Sequence, residues 1–151
     1  MPRHLLTIPH RKQEKDSDCL AACAAMVLDS IDIHVPYQNL LTLLDVAPWG
    51  TPHRNIRHLA ENFTSIRIIY KQGALPDLFQ VIESGFPATV FVWTGDLSYW
   101  DIGTWHAVVI IGYDERYFYL NDPAFDEAPL PVSHGDLDLA WIAYDSYYAV
   151  I

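Results

Sequence analysis

Residues Ala88–Trp93 read ATVFVW, an almost unbroken apolar and β-branched run. A strand with one wet face alternates apolar and polar residues. This one does not, which is the pattern of a strand covered on both faces. A second run, His106–Tyr113 (HAVVIIGY), meets Tyr117–Asn121 (YFYLN) across Asp114-Glu115-Arg116, a hairpin signal. Such strands need covering layers, and a chain of 151 residues that is 51% apolar can provide them. That length suits one compact domain over residues 1–151, burying roughly two thirds of its unfolded surface.

The covering helices are legible in the first half. The run CLAACAAMVLD follows Asp18, which reads as an N-cap, and is rich in strong helix formers. Leu20, Cys23, Ala24, Val27 and Leu28 recur at helical spacing and predict one buried face. A second helix is expected from about Pro36 to Leu44 and a third from Pro52 or His53 to about Phe63. Ser65–Tyr70 reads as a strand, Leu75–Ser84 as a helix closed by Gly85, and His4–Ile8 as a short strand. Pro123, Pro129 and Pro131 read as chain breaks. Ser133–Ile142 reads as a short helix and Tyr147–Ile151 as a last strand. Helices early and strands late give an α+β layout.

Charge narrows the function classes. Nine Lys and Arg stand against nineteen Asp and Glu, a net of −10. Nucleic acid as a partner is disfavoured, because phosphate binding needs a basic patch. Anionic membranes are disfavoured for the same reason. No run approaches about 18 apolar residues, so no membrane span is expected. Cys19 and Cys23 make no disulfide framework and no zinc spacing. No signal peptide is visible, and a cytoplasmic, reducing compartment is the expectation.

Cys19 is the main chemical candidate. It stands at the start of the first helix, where free backbone N–H groups and the helix dipole favour a thiolate. Cys23 lies one turn deeper among apolar residues, where a thiol is usually inert. A base is needed, and His106 opens a rigid apolar strand directly after a glycine-containing loop. With Asp114-Glu115-Arg116 as the hairpin loop, Val108 faces Asp122 and His106 faces Ala124. His106 and Asp122 then lie diagonally on one face, roughly 7–8 Å apart by backbone position. A carboxylate there can fix the imidazole tautomer and stabilise its cation. A two-residue turn would put them on opposite faces, so the inference depends on register. Acyl transfer also needs donors for an oxyanion. Gln13, six residues before Cys19, can fold back to supply one, beside the Cys19 backbone N–H.

Other candidates read as structural. His34 is a minor alternative base. His53, Arg54, Arg57 and His58 read as a solvated helix face. Trp93, Trp100 and Trp105 bracket the loop before His106 and read as core in preference to a substrate groove. Cys19, His34 and His58 fit no zinc pattern, so no metal or other cofactor is expected.

The segment Gln13-Glu-Lys-Asp-Ser-Asp-Cys19-Leu-Ala-Ala-Cys23 resembles the N-terminal motif of bacteriocin-processing cysteine peptidases. These are papain-like enzymes that remove double-glycine leader peptides. HAVVIIGYDERYFYLNDP is similar to the same family's His-hairpin-Asp-Pro segment. The resemblance runs from residue 13 to residue 122. It implies Cys19 as nucleophile, His106 as base and then acid, Asp122 as its orienting partner, and Gln13 as oxyanion donor. It also implies a papain-like fold, with N-terminal helices packed on a C-terminal antiparallel sheet, and a peptide or protein substrate. Leu20 departs from the glycine that many relatives carry after the nucleophile and is expected to narrow the approach to the thiol. The net charge also opposes the acidic helices common among such leaders. The resemblance therefore bears on catalysis more than on double-glycine specificity. A papain-like acyltransferase, isopeptidase or deamidase uses the same thioester, and a non-catalytic peptide-binding module is the third class.

Overall fold

The computed structural model describes residues 3–151. In chain order it contains β1 (His4–Leu5), α1 (Cys19–Ser30) and α2 (Tyr37–Leu43). A 3-10 turn (His53–Arg57) leads into α3 (His58–Asn62), followed by β2 (Ile69–Gln72), α4 (Leu75–Glu83) and β3 (Ala88–Trp93). β4 (Trp105–Tyr113), β5 (Tyr117–Asn121), β6 (Leu130–Ser133), α5 (His134–Ile142) and β7 (Tyr147–Val150) complete it. Among the described residues no helix is long and apolar enough to cross a membrane.

The strands form one antiparallel sheet in the order β2-β7-β3-β4-β5-β6, with β1 pairing on the far end of β4. Both faces are covered, as the unalternating strands require. Ala107, Val109 and Ile111 of β4 and Phe91 of β3 pack in one core with α1 and α2. Val108 and Ile110 of β4 and Val90 and Val92 of β3 point the other way, onto Leu78 and Ile82 of α4 and Leu137 and Trp141 of α5. The fold is α+β, as expected, and α4 and α5, both anticipated from the sequence, cover the second face.

Three elements differ from the sequence reading for physical reasons. α1 buries all nine residues from Leu20 to Leu28, not one face. An all-round apolar helix is a core helix, and its four alanines let its neighbours approach closely. β6 is a strand despite Pro131, because it lies at the sheet edge, where a missing N–H breaks no inner ladder. β2 sits a few residues later than expected, where Ile69–Gln72 find partners in Val150–Tyr147.

The β4–β5 hairpin carries a register shift. Tyr113 faces Phe118 and Gly112 faces Tyr119, one residue out from the expected pairing. A bulge between Ile110 and Gly112 then restores it, so that Ile110 faces Leu120 and Val109 faces Asn121. The extra residue changes which side chains share a face. Gly112 is needed beside the bulge, because a Cβ there would run into the His4 carbonyl of β1. In the turn, Asp114 Oδ1 accepts the N–H groups of Arg116 and Tyr117, both at 2.8 Å.

Candidate active site

Cys19 is the first residue of α1 and is half-buried. Asp18 occupies the N-cap position but does not cap the helix with its side chain. Its buried carboxylate turns back instead. It accepts the N–H of Lys15 at 2.7 Å, the N–H of Glu14 at 3.2 Å and the hydroxyl of Tyr37. The loop before Cys19 is closed by this one side chain. Gln13, at the head of that loop, donates its backbone N–H to the Pro123 carbonyl at 2.8 Å. Gln13 is thereby brought to the residue next to Asp122. Its side-chain Oε1 is buried without a hydrogen-bond partner among the described residues.

Asp18→Ala is expected to leave three donors without their acceptor, two of them backbone. The variant should lose about 2–4 kcal/mol of stability, read as a lower urea midpoint at unchanged slope. A midpoint equal to that of the wild type would show that water replaces the carboxylate.

His106 is the second residue of β4, and Asp122 follows the last residue of β5. His106 Nε2 and Asp122 Oδ1 are 2.7 Å apart, with the residues 5% and 0% exposed. The bulge matters here, since it sets the pairing that carries both residues to this contact. Asp122 is a hub. Oδ1 also accepts the Ala124 N–H at 2.9 Å, while Oδ2 accepts the Tyr99 hydroxyl at 2.7 Å and the Trp100 indole N–H at 2.9 Å. The Trp100 ring stands edge-on to the imidazole, with centroids 4.9 Å apart. Tyr99 and Trp100 were not anticipated as partners of Asp122. Their only sequence signal was the density of aromatics in the loop before His106.

With Nε2 committed to Asp122, the second imidazole nitrogen is left for the nearby Cys19 thiol. Burial works against the charged imidazole, but the hydrogen bond to Asp122 and the nearby Cys19 outweigh it and raise His106 to about 9. Burial likewise opposes ionisation of Asp122, yet its bonds from His106, Ala124 and Tyr99 hold its carboxyl below the usual range. The favoured state of the pair is imidazolium and carboxylate. Cys23 is fully buried one turn deeper, and burial, with Cys19 and Asp122 nearby, pushes its thiol up. It stays protonated and unreactive.

Cys19 and His106 open onto a cleft of about 530 Å³. Trp49, His53, Trp105 and Tyr144 are among the residues that line it. Leu20 borders it but is almost wholly buried in the core, so the side-chain bulk expected to crowd the thiol faces mostly inward. His53 does not lie on a solvated face. Its ring stacks on Phe91 at 4.7 Å and meets Tyr144 at 4.8 Å, and it hydrogen-bonds the Tyr70 hydroxyl. Burial, followed by the nearby Arg54, pushes this imidazole down, so it is neutral in the cleft. The signal missed was the 3-10 turn, which rotates His53 off the face of the following helix. Trp105 is half exposed at the cleft and Trp100 packs on His106, so neither is simple core. His34 pairs with Asp29 in the last turns of α1, away from Cys19 at its first.

A family model described as "Peptidase_C39 like family" matches residues 5–148. Among curated proteins, the uncharacterized protein YvpB of Bacillus subtilis (strain 168) is 28% identical over 88 residues. The matched stretch is 49% of this chain and 35% of that protein, so only about a third of the relative's length is spanned. A solved chain from Bacillus anthracis described as a C39-like peptidase superposes with a TM-score of 0.84 at 18% identity, covering 99% of this chain and 97% of that one. A double glycine motif protease from an AMS/PCAT transporter, solved in complex with the leader peptide, gives 0.76 at 22% identity, over 97% and 91%. The peptidase domain of Streptococcus ComA, a bi-functional ABC transporter, gives 0.73 at 17% identity, over 93% and 94%. These likenesses carry the fold, in which early helices meet a later antiparallel sheet. Since the family model runs through almost every element described above, the chain belongs to the Peptidase_C39 like family.

Proposed function

We propose that the chain is a cysteine peptidase, with Cys19 as nucleophile. The observation that carries this reading is the convergence of a half-buried thiol with a buried imidazole–carboxylate pair at one cleft. His106 is held as a cation at neutral pH, and a cation against sulfur favours the thiolate. The thiolate attacks the peptide carbonyl carbon, and the carbonyl electrons move to oxygen. The Cys19 backbone N–H and the Gln13 side-chain amide receive that charge. His106 protonates the leaving amine, and the C–N bond breaks to leave a thioester on Cys19. His106 then takes a proton from water, whose oxygen displaces the sulfur. Asp122 keeps the imidazole in one tautomer throughout. A peptide substrate is supported by the solved relative bound to a leader peptide.

The first test needs no substrate. Folded protein is treated with iodoacetamide between about pH 5 and 9, and modification of Cys19 and Cys23 is mapped by mass spectrometry. Cys19 should react at about pH 6 roughly tenfold or more faster than an unperturbed thiol, and His106→Ala should remove the excess. Cys23 should stay unmodified until the fold is lost. Alkylation of Cys19 only above about pH 8, indifferent to His106→Ala, would count against a thiolate–imidazolium pair.

A further inference from the structure

Trp49 is 88% exposed and lines the same cleft as Cys19. A tryptophan so exposed contributes little to folding, and a mobile loop tip would explain it. The backbone does not describe such a tip. Ala47 N–H donates to the Gly50 carbonyl at 3.2 Å, and Gly50 N–H donates to the Ala47 carbonyl at 2.9 Å, closing a tight turn from both sides. Pro48 fixes one central φ, and Gly50 sits at φ 121°, which side-chain-bearing residues avoid. The turn fixes the backbone from which the indole projects at the rim.

Trp105 stands elsewhere on the same cleft, one residue before His106, and is 52% exposed. Its inner side rests on Trp93 at 4.6 Å and on Tyr144 at 4.4 Å. Trp93 is itself boxed in, since a Cβ at Gly95 or Gly103 would strike its indole. Two aromatic surfaces, one carried on a closed backbone turn and the other packed on Trp93 and Tyr144, thus border the cleft that holds the thiol. Among the described residues that line the cleft there is no Lys or Arg, His53 is neutral, and the His106 cation is buried and already paired with Asp122. The one carboxylate at its rim is Asp16. An acidic side chain finds no unpaired cation there, while a large apolar one finds two ring faces.

We propose that Trp49 and Trp105 form an aromatic clamp that selects a peptide carrying a large apolar, preferably aromatic, side chain beside the bond offered to Cys19. The clamp deepens the peptidase reading and rests on it for the word substrate; as a binding site it is testable alone. Aromatic pairing in a partly desolvated site is worth about a tenfold gain in affinity.

The test is protection of the Cys19 thiol. The chain is alkylated by iodoacetamide at about pH 8.5, where an ordinary thiol also reacts. Acetylated, amidated pentaglycine competes with analogues carrying one Phe, Leu or Glu moved through the five positions. At one position Phe should halve the rate at about tenfold lower concentration than pentaglycine, with Leu intermediate and Glu no better than Gly. In Trp49→Ala the advantage of Phe should vanish, and Trp49→Phe should keep most of it. Equal protection by the Phe and Gly peptides at every position overturns the clamp, as does a Phe advantage that survives Trp49→Ala. If Cys19 shows no enhanced reactivity at about pH 6 while Phe still protects it, the peptidase reading fails and the clamp stands.

Discussion

Cys19→Ala is expected to abolish peptide hydrolysis, a loss of about 10⁶-fold in turnover, while Cys23→Ala retains activity within a few-fold. The first figure is what removing a nucleophile costs when the remaining groups have nothing to activate. The second follows from burial. Cys23 is enclosed in the α1 core, its thiol is pushed up, and no substrate reaches it. The two substitutions are similar in the helix, since Ala is the strongest helix former, and both residues sit in α1. Cys23→Ala leaves a small void and should lower stability by about 1 kcal/mol, whereas Cys19→Ala, at a half-exposed position, should cost less. Hydrolysis is read on a proteome-derived peptide library by mass spectrometry, with circular dichroism checking the fold. Activity that survives Cys19→Ala and disappears in Cys23→Ala would reassign the nucleophile one turn down the helix.

The contrast between these two cysteines was legible in the sequence because helix periodicity is local. Four residues separate them, so one at the helix start places the other in the core. The contact of His106 with Asp122 was legible for a less direct reason. The hairpin was read with a three-residue loop, and the turn in fact sits one residue out. The bulge between Ile110 and Gly112 cancels that shift before the chain reaches His106. No local preference announces a bulge here. Gly112 is its trace, and its close neighbour is β1, more than a hundred residues away in the chain.

What stayed hidden depends on long-range packing. Tyr99 and Trp100 meet Asp122 across a loop whose path is set by the sheet end, not by periodicity. Asp18 has the residue type of a cap, but the N–H groups of Glu14 and Lys15 and the Tyr37 hydroxyl compete for its carboxylate and win. β6 was obscured because Pro131 signals a break everywhere except at an edge, and which strand is the edge is a property of the whole sheet. His53 stands among Arg54, Arg57 and His58, which read as a wet face, until the 3-10 turn carries it into the aromatic cluster.

Asp122→Asn is expected to cost roughly 3–5 kcal/mol of stability at about pH 6, and to lower turnover by about 10³–10⁴-fold. All four groups around the carboxylate are donors: His106 Nε2, the Ala124 N–H, the Tyr99 hydroxyl and the Trp100 indole N–H. An amide puts its own N–H₂ against two of them. The Tyr99 hydroxyl can turn to accept, but the Trp100 N–H cannot. The cost should also depend on pH in a set direction. His106 is raised from 6.5 to about 9, so its contribution is complete below about pH 6.5 and is lost as pH rises through about 9. Asp122 is lowered, so its contribution is present above its ordinary value of 3.8 and is lost as pH falls through its folded value. The gap between wild type and variant should therefore be widest between about pH 4 and 6.5 and should narrow toward about pH 9. Urea midpoints across that range measure it. A gap of constant size would mean that His106 is neutral beside Asp122 throughout. The thiolate at Cys19 would then lack the cation on which the proposed chemistry depends.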